Sequence, residues 1–186
     1  MDTKTAKATF ETATLVGALK AAKTCMSKDP TRVNLNRLCI EKAEGETVKV
    51  IATDGHTLCL VTAPILENEL QNAGTRYELT SADIDMILAR AKSKPATLDI
   101  ELREETSEFP EYEKVIPKYT SNESLKGPIG FNAKYLARLE DVSNAIGNKC
   151  TGATTLKFGL NDHDAMVAEI TGANSSAIIV IMPMRI

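Results

Sequence analysis

His56 and His163, with the acids beside them, are the first residues to weigh for chemistry. His56 follows Asp54 in "ATDGHTL", and His163 stands between Asp162 and Asp164 in "NDHDA". A carboxylate near an imidazole can orient it as a general base. Two acids flanking a histidine can offer ligands to a divalent ion. Neither arrangement is completed. Asp54-Gly55 is a strong turn pair between strand-like runs, and no Gly-x-Ser-x-Gly or other nucleophile motif accompanies it. No further ligand stands at a set spacing from His163, so "NDHD" reads as a polar hairpin turn. No Walker loop or Gly-x-Gly-x-x-Gly occurs, which removes the usual phosphate cradles. Cys25, Cys39, Cys59 and Cys150 lie far apart, form no Cys-x-x-Cys pair, and read as free core thiols. The expectation is a protein with no catalytic residue, no metal and no cofactor.

The elements that carry these residues repeat. "KATFETAT" is a strand leading into hydroxyl residues that can cap a helix. Leu15, Leu19, Ala22 and Met26 recur at helical spacing over 13–28, and Pro30 stops the run. "NRLCIEKA", "TVKVIATD" and "HTLCLVTAP" are three strands. Residues 1–64 therefore read βαβββ. "RYELT" is a strand, 81–94 a helix capped by Thr80 or Ser81 with Ile84, Ile87, Leu88 and Ala91 on one face, and "ATLDIELRE" a strand of period two. An irregular connector with three prolines and two aromatic anchors completes residues 65–126. Residues 127–186 restore the pattern. "IGFNAKYLARLEDVSNAIG" is a strand and then a helix, capped by Asn132 with Leu139, Val142 and Ile146 inward, and "TTLKFGLN", "AMVAEITG" and "SAIIVIMPM" are strands. The fold class is α+β, built of repeated βαβββ units whose sheet edges need neighbours.

With 43% apolar and 25% charged residues the composition is that of an ordinary globular protein. No stretch approaches the ~20 apolar residues of a membrane span. "MDTKTAKATF" lacks the apolar core of a signal peptide, which places the protein in the cytoplasm. The charge is unevenly distributed. The three helical segments hold nine basic and four acidic residues, a surplus of five, in a chain of net charge −3. Helix dipoles favour early acids and late bases, which suits the second segment and not the first. A basic helical face suits a polyanion held through its phosphates without reading its sequence.

Three segments carry a resemblance to one family. "ATDGHTL" resembles the "ATDGHRL" strand turn of bacterial sliding clamps, the beta subunit of DNA polymerase III. "FPEYEKVIP" resembles the "FPDYxxVLP" connector between that subunit's second and third domains. "IGFNAKYLARL" and "VIMPMRI" resemble the start and the end of its last half-domain. The motifs occur in family order and span most of the chain from about Lys7. One departure is Thr57, which stands where the family commonly has Arg.

The resemblance implies rings of repeated βαβββ units with basic helices inside and an acidic sheet outside. It implies a shortened member: the middle domain's front half, that domain's truncated back half, and the last domain's back half. It implies a hydrophobic pocket for short linear motifs of polymerases and the clamp loader. The family's pocket positions fall on Leu35, Thr53, Gly55, His56, Leu58, Pro110, Val115, Val180, Met182, Pro183, Met184 and Arg185. Methionines suit a wall that accepts several peptides. Lys20, Lys23, Lys28, Arg90, Lys92, Lys134 and Arg138 are expected to face duplex DNA. The function implied is a homo-oligomeric ring, a tetramer or else a hexamer or trimer, that tethers a DNA enzyme and supports replication as a processivity factor. The alternative is a clamp-derived decoy that binds clamp-motif peptides without encircling DNA.

Overall fold

The computed structural model describes residues 4–70, 75–105, 108–119, 129–148, 153–159 and 163–184. Strand β1 (Thr5–Glu11) alternates, burying Ala6, Ala8 and Phe10 while Thr5, Lys7 and Glu11 stay exposed. It runs directly into helix α1 (Thr12–Lys23), followed by β2 (Arg37–Lys42), β3 (Thr47–Thr53) and β4 (Thr57–Pro64). Then come β5 (Glu67–Asn68), β6 (Arg76–Thr80), α2 (Ser81–Arg90) with a 3-10 turn at Ala91–Ser93, and β7 (Thr97–Glu104). The connector forms one 3-10 turn, Tyr112–Lys114. Helix α3 (Ala133–Ala145) and strands β8 (Thr154–Lys157), β9 (Met166–Thr171) and β10 (Ser176–Ile181) follow.

Ten strands form one antiparallel sheet in the order β5-β1-β7-β6-β2-β3-β4-β10-β9-β8. The chain segments are woven together in it. β1 pairs with β7 over its whole length rather than with β2, and β10 pairs with β4, placing Ala177 opposite Val61. The three helices share one face of the sheet. Leu15, Leu19 and Ala22 of α1, Ile84 and Ile87 of α2, and Val142 of α3 join one apolar core with Val48, Val50, Ala52, Cys59, Val61 and Ile179. Residues of opposite parity, Cys39, Ile51, Leu58, Leu60 and Val180, form a second cluster on the other face with Phe109 and Tyr112. Strand side chains alternate in direction, so both faces are apolar only where both are covered. This explains why β4 reads as a nearly continuous buried run.

Local signals set the element ends. Thr80 and Asp83 form a capping box at the start of α2, and Asn132 accepts from Lys134 N at the start of α3. Helix α1 departs from expectation. Its N-cap is Glu11 with no side-chain cap bond, and Thr14 Oγ1 instead donates to Glu11 Oε2 at 2.7 Å. It also ends at Lys23, after which i→i+3 bonds at Cys25 and Met26 tighten the chain toward Pro30. The strand expected just before the Asn132 cap is a single bridge, Gly130 to Met184. Cys25, Cys39 and Cys59 are free and buried; Cys150 lies outside the described residues.

The connector is fastened by charge as well as by apolar contact. Glu41 of β2 accepts from Arg76 Nε at 3.3 Å, Lys49 Nζ at 3.4 Å and the Tyr112 hydroxyl at 3.1 Å. Lys49 and Arg76 also lie over the Tyr112 ring. Burial pushes the Tyr112 phenol up to about 12, with Glu41 adding to the shift against the pull of Lys49. Among the described residues no helix is long and apolar enough to cross a membrane, and no cluster of His, Cys, Asp and Glu is arranged to hold a metal ion.

Candidate functional site

The turn between β3 and β4 is built on one carboxylate. Asp54 Oδ1 accepts from His56 N at 3.0 Å, Thr57 N at 2.8 Å and Thr57 Oγ1 at 3.1 Å. Such a side-chain-to-backbone ring is why Asp favours turns. Gly55 sits at φ +89°, a conformation open to glycine without strain. Thr53 Oγ1 donates to Thr57 O at 2.8 Å and closes the turn from inside. Arg32 Nη1 donates to Asp54 O at 3.1 Å and brings the loop that carries Leu35 against the turn.

Two further segments converge there. Leu58 and Val180 are register partners across β4 and β10. Past the end of β10, Met182 N donates to His56 O at 3.0 Å, and Met184 N donates to Gly130 O at 2.8 Å. Pro183 between them has no amide hydrogen to offer. The ladder therefore gives way to single bonds, and the methionine side chains project outward. Met182 is 40% exposed and Met184 51%. His56 is exposed, and its ring stacks on Tyr135 of α3 with centroids 5.9 Å apart. Val115 follows the connector's 3-10 turn and is 39% exposed, while Pro110 is half-buried.

The expected pocket residues thus divide in two. Gly55, His56, Val115, Met182 and Met184 are at the surface, and Leu35 and Pro183 are half-buried. Thr53, Leu58 and Val180 are buried beneath, the last two packed with Phe109 and Tyr112. Arg185 lies outside the described residues. A groove of about 580 Å³ lies elsewhere, between α3 and β8, and shares no residue with this corner.

The basic residues also divide. Lys20, Lys28, Arg90, Lys92 and Lys134 are exposed, with Lys20, Arg90 and Lys134 on the helices themselves. Lys28 lies beyond α1, and Lys92 sits in the 3-10 turn after α2. Lys23 is engaged: its Nζ is 2.6 Å from Asp85 of α2. Arg138 departs most from a free phosphate contact. Its Nη1 donates to Asp54 Oδ2 at 2.8 Å and to Thr57 Oγ1, and its guanidinium lies 4.9 Å from the Tyr135 ring centroid. Burial opposes ionisation of Asp54, but Arg138 and the amides of Thr57 and His56 outweigh it and hold the carboxyl below its ordinary value. Asp54 is thereby committed to the turn and to Arg138, and His56 is stacked on Tyr135. The acid–base pairing considered from sequence is not formed. Nearby, the two buried thiols act on each other: Cys59 lowers the pKa of Cys25 against the effect of burial, and Cys25 together with burial raises that of Cys59.

Sequence reasoning missed Arg138 as a turn partner, along with Tyr135, Glu41, Lys49 and Arg76. Arg138 and Asp54 are 84 positions apart, and no local pattern joins them. The departure at Thr57 was the available signal: the small hydroxyl stands where the family has Arg, and a guanidinium from α3 donates to it.

No protein-family model and no curated protein matches the chain. Solved structures do. The DNA polymerase III beta subunit of Thermotoga maritima superposes with a TM-score of 0.76 at 16% identity, covering 100% of this chain and 67% of that one. The Caulobacter crescentus beta sliding clamp gives 0.72 at 17% identity, with the same coverages. The Pseudomonas aeruginosa sliding clamp bound to griselimycin gives 0.70 at 16% identity, covering 97% and 65%. This chain spans about two thirds of the length of these proteins. Its helices on one face of a continuous antiparallel sheet are the fold of the DNA polymerase III beta subunit, the bacterial sliding clamp, in shortened form.

Proposed function

We propose that this chain is a processivity factor that encircles duplex DNA as a homo-oligomer and tethers a polymerase or other DNA enzyme by short peptide motifs. The observation that carries the reading is the clamp fold across the whole chain, with α1, α2 and α3 on one face. Exposed Lys20, Lys28, Arg90, Lys92 and Lys134 give that face its charge. Such a surface holds DNA weakly, without sequence preference and with strong salt dependence. The protein does no chemistry itself. It raises the effective concentration of an enzyme at its template. The units 1–64, 65–126 and 127–186 are the modules of this reading, and the cytoplasm is its compartment.

The peptide site of this reading is the corner of His56, Val115, Met182, Pro183 and Met184, floored by Leu58 and Val180. It takes a short Leu- and Phe-rich peptide whose few anchors dominate the affinity. Deleting Met182 to Ile186 spares β10, which ends at Ile181. The deletion is expected to abolish peptide binding in a fluorescence anisotropy titration and to leave retention on circular DNA intact. Equal affinity of the two proteins would sink the peptide site. A stable monomer that binds peptide but is not retained on DNA would instead establish the decoy.

A further inference from the structure

We infer that Arg138 is a positioning residue for the peptide site, which it serves from α3 by fixing the Asp54–Thr57 turn, and not a contact to DNA phosphates. This rests on the reading of the peptide site given above.

Three observations carry it. First, both faces of the Asp54 carboxylate are used. Oδ1 organises the turn from within, through His56 N, Thr57 N and Thr57 Oγ1, and Oδ2 is reserved for Arg138. The ion pair is well sheltered, with Arg138 20% and Asp54 16% exposed in their side chains. A pair so placed is desolvated and directional, unlike the surface pairs that contribute little. Second, a second clasp lies one turn earlier on the same helix, where Tyr135 stacks on His56 and Arg138 lies over Tyr135. The chain Asp54, Arg138, Tyr135, His56 closes on the turn from which it started. Third, the backbone oxygen of His56 receives the amide of Met182. The same turn therefore sets the position of the methionine segment. A guanidinium is suited to this task because its Nη1 donates to both Asp54 and Thr57 while its flat, weakly hydrated plane lies over Tyr135, a stacking that an ammonium does not reproduce.

Five proteins test this: the unmodified chain, Arg138→Ala, Arg138→Lys, Asp54→Asn, and Asp54→Asn combined with Arg138→Ala. Each is titrated by anisotropy against one fluorescein-labelled Leu- and Phe-rich peptide, and each is assayed for retention on circular DNA across a salt series. Arg138→Ala is expected to weaken peptide binding about 10-fold, and Arg138→Lys to recover part of that loss. Asp54→Asn combined with Arg138→Ala should cost little more than either alone, because the two residues act as one unit. The salt dependence of DNA retention should not change, since no phosphate contact is lost. Undiminished peptide affinity in Arg138→Ala overturns the proposal, as does a salt slope reduced by about one contact. Failure of the peptide site itself is distinguishable by the His56 ring proton resonances. In the peptide-free protein they should carry the upfield ring-current shift from Tyr135, lost in Arg138→Ala and kept in Arg138→Lys. A preserved shift in Arg138→Ala refutes the positioning role whatever the peptide does.

Discussion

At the scale of residues, the molecule ties its irregular segments to its sheet with single polar groups. Tyr112 is one. Its ring closes the outer apolar cluster while its hydroxyl bridges Glu41 and Lys49. Tyr112→Phe keeps the ring and removes the bridge, and is expected to cost about 1–2 kcal/mol of unfolding free energy in urea melts. Asp54 is another, with a pH signature. Its folded-state pKa lies below its unfolded value. Its contribution is fully present above the ordinary Asp value of about 3.9 and is lost as pH falls through the lower folded value. Thermal melts between pH 5 and 2 should show Asp54→Asn with a flatter acid limb than the unmodified protein. Neither bond was legible in the sequence. Glu41 and Tyr112 are 71 positions apart, and a charge that pairs across such a distance looks in sequence like any solvated charge. Legible instead were the turn pair Asp54-Gly55 and the caps Thr80 and Asn132, all of which act through near neighbours.

At the scale of elements, the order of strands and helices follows from hydrophobic period, because each element has one apolar stripe or face to cover. Pairing does not follow from it. That β1 seeks β7 and β4 seeks β10 depends on which edges remain open once the helices are docked, a property of the assembled sheet. The strand expected just before Asn132 failed for a similar reason. Its one available partner is the segment after Pro183, where the ladder has already ended. Helix packing makes its own demands. A Cβ on Gly17 of α1 would lie 2.7 Å from the backbone oxygen of Ala145 in α3. Gly17→Ala should force the two helices apart and cost about 1–3 kcal/mol, despite alanine's better helix propensity. The capping box of α2 gives a contrasting case. Thr80→Ala should cost about 1 kcal/mol and leave the helix contacts intact. Denaturant unfolding of the two variants, with amide exchange in α1 and α3, separates the mechanisms.

At the scale of the whole molecule, a ten-stranded sheet with helices on one side has two ends, β5 and β8, and an end strand invites another chain. If a ring of this kind needs about twelve helices around its hole and each chain supplies three, four chains joined head to tail close it. Native mass spectrometry should find a tetramer as the main species. A monomer or a two-fold dimer would contradict the ring. Lys20→Glu with Lys134→Glu should leave that mass unchanged and lower the salt slope of DNA retention by about 2. The pairing of β4 with β10 has a consequence of a different kind. Val61 meets a partner, Ala177, that lies far along the chain and is made long after it. Until then β4, paired with β3 along one edge, presents its other edge to the crowded space around the ribosome. Contacts so distant along the chain delay productive folding, and an uncovered edge in the meantime recruits other chains. The nascent protein therefore has a window of self-association that closes only when β10 arrives, and its yield in a cell should depend on how fast the segment between β4 and β10 is translated.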